Sequence, residues 1–127
     1  MLNEEVKELL KVNKLVDKNN ICMYGYLAAS GFGGLGNMIA TKNYCLALNG
    51  REVNIVPYNK KKQLDLDHKY TIGPDDSAAA YYKRIFMGQR GKKYLCIASR
   101  QHNFKFMIAS DEYDVADAIV WILNGNK

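Results

Sequence analysis

The residues that come nearest to a chemical motif are glycines. Gly31-x-Gly33-x-x-Gly36 satisfies the spacing of a dinucleotide-binding loop, in which a helix opening at the third glycine aims its amides at a pyrophosphate. That chemistry also needs an acid at the end of the next strand to hold the ribose hydroxyls. Here Arg51-Glu-Val-Asn-Ile-Val56 runs into Pro57-Tyr58-Asn59, with no acid. Downstream, β segments joined by turns stand where alternating crossover helices would be required. A glycine hairpin loop is the favoured reading, and a small nucleotide-binding unit using Gly31 to Gly36 is the further alternative.

Nucleophilic and metal chemistry are no better supplied. His68 and His102 lie far apart in polar, turn-like contexts, and no Cys or acid spacing around them suggests metal ligation. Asp65 and Asp67, read as alternating along one strand, share a face and could place two carboxylates together, although a solvated sheet face is the favoured reading. Ser30, Ser77, Ser99 and Ser110 occupy turn or strand-end positions without an elbow motif. Cys22, Cys45 and Cys96 are odd in number, widely spaced and set in apolar segments, which predicts buried thiols rather than a disulfide framework. No catalytic residue, cofactor site or metal site is assigned.

Charge offers a different class of function. The chain has 18 Lys and Arg against 13 Asp and Glu, a formal charge of +5. Lys60, Lys61 and Lys62 form one basic run; Lys83, Arg84, Arg90, Lys92, Lys93 and Arg100 form a second region, with Asp65, Asp67, Asp75 and Asp76 between them. Lys60, Lys61, Lys62, Arg90, Lys92 and Lys93 are the candidates for contact with an anionic surface, either phosphates of nucleic acid or a membrane. Tyr81 and Tyr82 flank Lys83-Arg84 in the aromatic-basic order of single-strand-binding sheets, but strand alternation sends the two rings to opposite faces, so one alone could stack. Trp121 falls with Asp114 and Asp117 on a predicted helix, off its apolar stripe, and is the candidate for a protein contact.

These residues must be positioned by a single folded unit. A length of 127 residues, 48% of them apolar and 24% charged, suits one compact domain and excludes disordered and collagen-like classes. The longest apolar runs, 21–29 and 115–123, fall short of the ~20 residues a membrane-spanning helix needs. The N-terminal sequence reads neither as a basic leader nor as an apolar run before a cleavage site, so a cytoplasmic location is expected.

Asn3 followed by Glu4 and Glu5 predicts a helix start, with Val6, Leu9, Leu10 and Val16 as a buried stripe to about Lys18, where Asn19-Asn20 ends it. Residues 21–30 predict a strand. Residues 37–48 read either as one helix or as two strands turning at Thr41-Lys42-Asn43; the β-rich run downstream favours strands. Asn49-Gly50 is the expected hairpin turn into 52–58.

Leu64, Leu66, Tyr70 and Ile72 alternate with polar neighbours, Gly73-Pro-Asp-Asp76 is a turn, residues 78–87 read as a strand, and Gly88-Gln-Arg-Gly91 turns it back. Residues 93–99 and 104–109 are two more strands, with Phe104, Phe106 and Ile108 on one face and Lys105 opposite. Ser110 or Asp111 caps a final helix over 112–124, whose stripe is Val115, Ile119, Ile122 and Leu123. The expected class is α+β, mostly β: a bent antiparallel sheet or partly open barrel of about seven strands with a C-terminal helix, and an extra N-terminal helix over 1–18 ahead of the domain proper at 19–127.

Met38-Ile-Ala-Thr-Lys-Asn-Tyr-Cys-Leu-Ala-Leu48, Val53-Asn-Ile-Val-Pro-Tyr-Asn-Lys60, the hairpin 94–109 and the helix 111–123 together resemble the bacterial pleckstrin-homology-like (PH-like) domains. The likeness spans roughly 21–124. It implies a non-enzymatic binding or scaffolding module, acting through protein contacts or self-association. Phosphoinositide-binding members use basic residues in the loop between the first two strands. The corresponding loop here, Ser30 to Asn37, holds no Lys or Arg, so no lipid-binding residue is carried over. A membrane-surface or nucleic-acid binder using the basic loops is the alternative.

Overall fold

A computed structural model of the chain describes residues 4–30, 43–58, 64–73, 78–84, 93–100, 103–108 and 110–125. Its elements are helix α1 (Glu4–Val12), strands β1 (Cys22–Ser30), β2 (Asn43–Asn49), β3 (Glu52–Pro57), β4 (Tyr70–Ile72), β5 (Ala79–Arg84), β6 (Lys93–Ala98) and β7 (Asn103–Met107), and helix α2 (Tyr113–Leu123). The seven strands form one antiparallel sheet in the order β4-β3-β2-β1-β7-β6-β5. Two meanders thus meet where β1 pairs with β7. No pairing joins β4 to β5 among the described residues, so the sheet is partly open, as the alternation of apolar residues predicts.

Strand alternation gives this sheet two unlike faces. The inner face carries Met23, Leu46, Ile55, Leu95, Ile97 and Phe106, all essentially inaccessible, and packs against Ala116, Ile119 and Leu123 of α2. Tyr44, Phe104 and Phe106 add aromatic contacts, with Phe104 and Phe106 stacked 5.7 Å apart and Tyr44 edge-on to Phe106 at 5.6 Å. Gly25 sits on this face between Leu46 and Phe106, where an added Cβ would lie 2.6 Å from Leu46 Cδ1.

The outer face has a second apolar cluster. Val6 and Leu10 of α1, with Leu15 and Val16, close over Cys22, Cys45, Ala47 and Val56. The N-terminal helix is therefore part of the fold. It ends earlier than its apolar stripe predicts, at Val12 rather than Lys18. A continued helix would swing Leu15 about 140° from Leu10 and out of the apolar stripe. Instead Lys14 adopts φ 58°, its N–H bonds to Lys11 O at 3.0 Å and the Leu15 N–H bonds to Leu10 O at 2.9 Å. This is a Schellman cap, which folds Leu15 back beside Leu10. Leu9, expected in the stripe, is exposed.

Side chains then bind residues 13–20 to the β2–β3 hairpin. Asn54 donates to Leu15 O (2.9 Å) and accepts from Thr71 Oγ1 (2.7 Å), Asn49 donates to Lys14 O (2.8 Å), and Asp17 accepts from the Gly50 N–H (2.9 Å). The two-residue loop of that hairpin is Gly50-Arg51, one position later than expected, since Asn49 still pairs with Glu52. Gly50 supplies the positive φ of 63° that the first loop position needs.

Other expectations need similar correction. Leu64 contributes a single bridge to Tyr58, and residues 66–68 form a 3-10 turn, so Leu66 and the acids beside it are not on a strand. Residues 43–48 are strand, which excludes the single-helix reading there; residues 37–42 lie outside the described set. Helix α2 begins after a 3-10 turn at Ser110–Glu112 and has Glu112, not Ser110 or Asp111, at its N-cap position, without a side-chain cap bond. The buried Glu112 carboxylate instead accepts the Tyr24 N–H at 2.8 Å, completing the β1 edge beyond the end of β7. The stripe of α2 is centred on Ala116, Ile119 and Leu123, with Val115 and Ile122 half-buried beside it.

Candidate interaction surface

Helix α1 covers the outer face over β1, β2 and β3 only. Over the end of β1 and over β7, β6 and β5, no described residue lies above the sheet in either apolar cluster. The register there brings residues distant in sequence into two rows. Tyr26 pairs with Met107 and Met107 with Tyr94, forming one row; Tyr81 pairs with Cys96 and Cys96 with Lys105, forming the next. Tyr81 is 53% exposed, Tyr26 41% and Met107 37%, and Tyr94 is half-buried. These are large apolar side chains held in solvent by their parity on the strands. The Lys105 ammonium lies 5.1 Å from the centre of the Tyr94 ring, a cation–π contact that fixes a positive charge in the patch.

The bulge between Leu27 and Ala29 in β1 bends the strand at the border of this surface. Tyr82, one residue after Tyr81, points the other way, as alternation requires: its hydroxyl donates to Asp117 of α2 and its ring meets Tyr113 edge-on at 6.3 Å. Burial, and then the bond to Asp117, raises the Tyr82 pKa.

Charge is divided in the same way. Between residues 77 and 110 there are seven Lys or Arg and no Asp or Glu, while the rest of the chain has more acids than bases. Four of the seven, Lys83, Arg84, Lys93 and Lys105, lie on β5, β6 and β7, while β1, which holds Tyr26, has none. The exposed acids Asp111, Asp114 and Asp117 lie on or just before α2, against the opposite face.

Of the residues singled out from sequence, Trp121 is 50% exposed on the outer side of α2, on the helical face of Asp114 and Asp117. Lys60, Lys61, Lys62, Arg90, Lys92, His102 and the Gly31–Gly36 loop lie outside the described residues; Lys93 opens β6 in register with Arg84. Asp65 and Asp67 do not share a strand face. Asp65 instead meets His68, whose Nδ1 lies 2.7 Å from its carboxylate, an exposed pair within the 3-10 turn. Cys22, Cys45 and Cys96 are buried, as expected; burial raises the Cys22 thiol pKa and, most strongly, that of Cys45. Among the described residues, no group of three His, Cys, Asp or Glu gathers to hold a metal ion, and no helix is long and apolar enough to cross a membrane.

Tyr26, Tyr94, Met107 and Lys105 were not singled out from sequence. Their parity was readable from the alternation in each strand, but their adjacency depends on the β1–β7 pairing, which joins residues some eighty positions apart. Comparison with protein-family models, curated proteins and solved structures finds no match to this chain.

Proposed function

We propose that this chain is a non-enzymatic binding module, of PH-like type, whose working surface is the part of the outer sheet face that exposes Tyr26, Tyr81 and Met107 and whose partner is anionic. The observation that carries this reading is the exposure of Tyr81 and Met107 on the acid-free, basic strands β5 to β7, with Tyr26 exposed beside them on β1. Exposed aromatic side chains supply contact area at small entropic cost, polarizable Met adapts to what it meets, and clustered Lys and Arg draw an anionic partner to them.

A second reading, contact with a protein through α2, is favoured by Trp121, half-exposed beside Asp114 and Asp117. Elution from immobilised heparin along a salt gradient separates the two. Lys105→Glu should elute at clearly lower salt than the wild type, and Trp121→Ala with it. If the wild type passes through unretained at low salt, or if Trp121→Ala shifts and Lys105→Glu does not, the anionic-partner reading is wrong.

A further inference from the structure

The face that exposes Tyr26, Tyr81 and Met107 has the composition of a stacking platform rather than of a charged patch alone, and we infer that its ligand is a single-stranded polynucleotide. The inference rests on the proposed anion-binding face and adds the chemical class of the anion. A duplex or a lipid headgroup layer offers phosphates but no accessible base faces. A single strand offers both, and its unstacked bases lie down on aromatic rings while Lys and Arg track the backbone.

Three geometric facts favour the single strand. Tyr26, Tyr81 and Tyr94 stand on three different strands of one sheet face, so their rings are dispersed along the surface rather than packed together as a core. Neighbouring strands are ~4.8 Å apart, which places the Tyr26 and Tyr94 positions about 10 Å from each other across β7. That span suits two or three bases. Met107 pairs with both, and Lys105, two residues earlier on the same face of β7, holds its ammonium over the Tyr94 ring and so sets a positive charge beside the row. Finally, Lys83 pairs with Tyr94, so β5 places a basic position in register with the row of Tyr26, Met107 and Tyr94.

A lipid surface fits less well. Penetration calls for apolar side chains at a protruding rim, whereas here they occupy the middle of a sheet face. Self-association through this face would bring the like charges of β5 to β7 together.

The test is fluorescence anisotropy of labelled oligothymidylate and oligouridylate, with a blunt duplex of equal length, heparin and phosphatidylserine vesicles as comparators. The single strands should bind more tightly than the duplex, with affinity falling as salt rises by a log–log slope of about −0.7 per phosphate neutralised. Tyr81→Ala and Tyr94→Ala should each weaken binding about ten-fold, the loss expected for one stacked base. Tyr81→Phe, which keeps the ring, should bind as the wild type does. Unaltered Trp121 emission on binding would agree with a ligand on the face opposite α2.

If duplex and heparin bind as well as the single strands and Tyr81→Ala changes nothing, stacking is refuted while the anion-binding face stands. If vesicles bind more tightly than any oligonucleotide, the ligand class is wrong. If no polyanion binds at low salt, the proposed function falls with it.

Discussion

Replacing Asn124 with alanine opens the edge of the sheet. Asn124 follows α2, and its side-chain amide faces β5, the last strand: Oδ1 accepts the Ala80 N–H at 3.0 Å and Nδ2 donates to the Ala80 C=O at 3.0 Å. One side chain thus does at Ala80 what an eighth strand would do, and blocks the edge there against pairing with another chain. Two hydrogen bonds contribute about 0.5–1.5 kcal/mol each. Because Asn124 is exposed and water replaces part of the loss, Asn124→Ala should cost about 1–1.5 kcal/mol. With an unfolding entropy of about 2.1 cal/mol/K per residue over 127 residues, that lowers Tm by about 4–6 °C. The Ala80 amide should exchange with solvent much faster, and sedimentation velocity should reveal concentration-dependent association through β5. If Tm moves by less than about 1 °C and Ala80 exchange is unchanged, the edge is guarded by something other than Asn124.

The remaining predictions concern the two cores. Gly25→Ala should destabilise by about 1–2 kcal/mol in urea, because the 2.6 Å approach to Leu46 outweighs the ~0.4–1 kcal/mol gained by restricting the unfolded chain. Leu10→Ala, beneath α1, should cost about 2–5 kcal/mol; a loss under about 1 kcal/mol would mean that α1 is not part of the cooperative unit. In alkali, Cys22, Cys45, Tyr24, Tyr44 and Tyr58, all raised chiefly by burial, hold their protons more tightly folded than unfolded. Stability should therefore be flat below the ordinary thiol value of 9.0 and fall as pH rises through it and through the phenol value of 10.0. A stability that instead rises above pH 9.0 would contradict the burial of these groups.

Much of the fold is written in local patterns. Phe104, Lys105 and Phe106 alternate so regularly that their faces were readable directly, and the exposure of Trp121 followed from its helical spacing to Asp114 and Asp117. The errors arose where tertiary hydrogen bonds override local propensity. Val6, Leu9, Leu10 and Val16 read as one helical stripe to about Lys18, but Asn49, Asn54 and Asp17 hold the chain after Val12 in a turn. Asp65 and Asp67 look like a strand pattern until the chain tightens into a 3-10 turn. The candidate surface was the least legible feature, because each strand contributes one or two of its residues and the adjacency of Tyr26, Met107 and Tyr94 exists only once β1 has paired with β7.

Amide chemical-shift mapping during titration with oligothymidylate tests the central claim most directly, since it reads every element at once. The account predicts saturable shifts at Tyr26, Tyr81, Tyr94 to Cys96 and Lys105 to Met107, with α2 silent. Shifts centred on Asp114, Asp117 and Trp121, or no shifts at low salt, would contradict it.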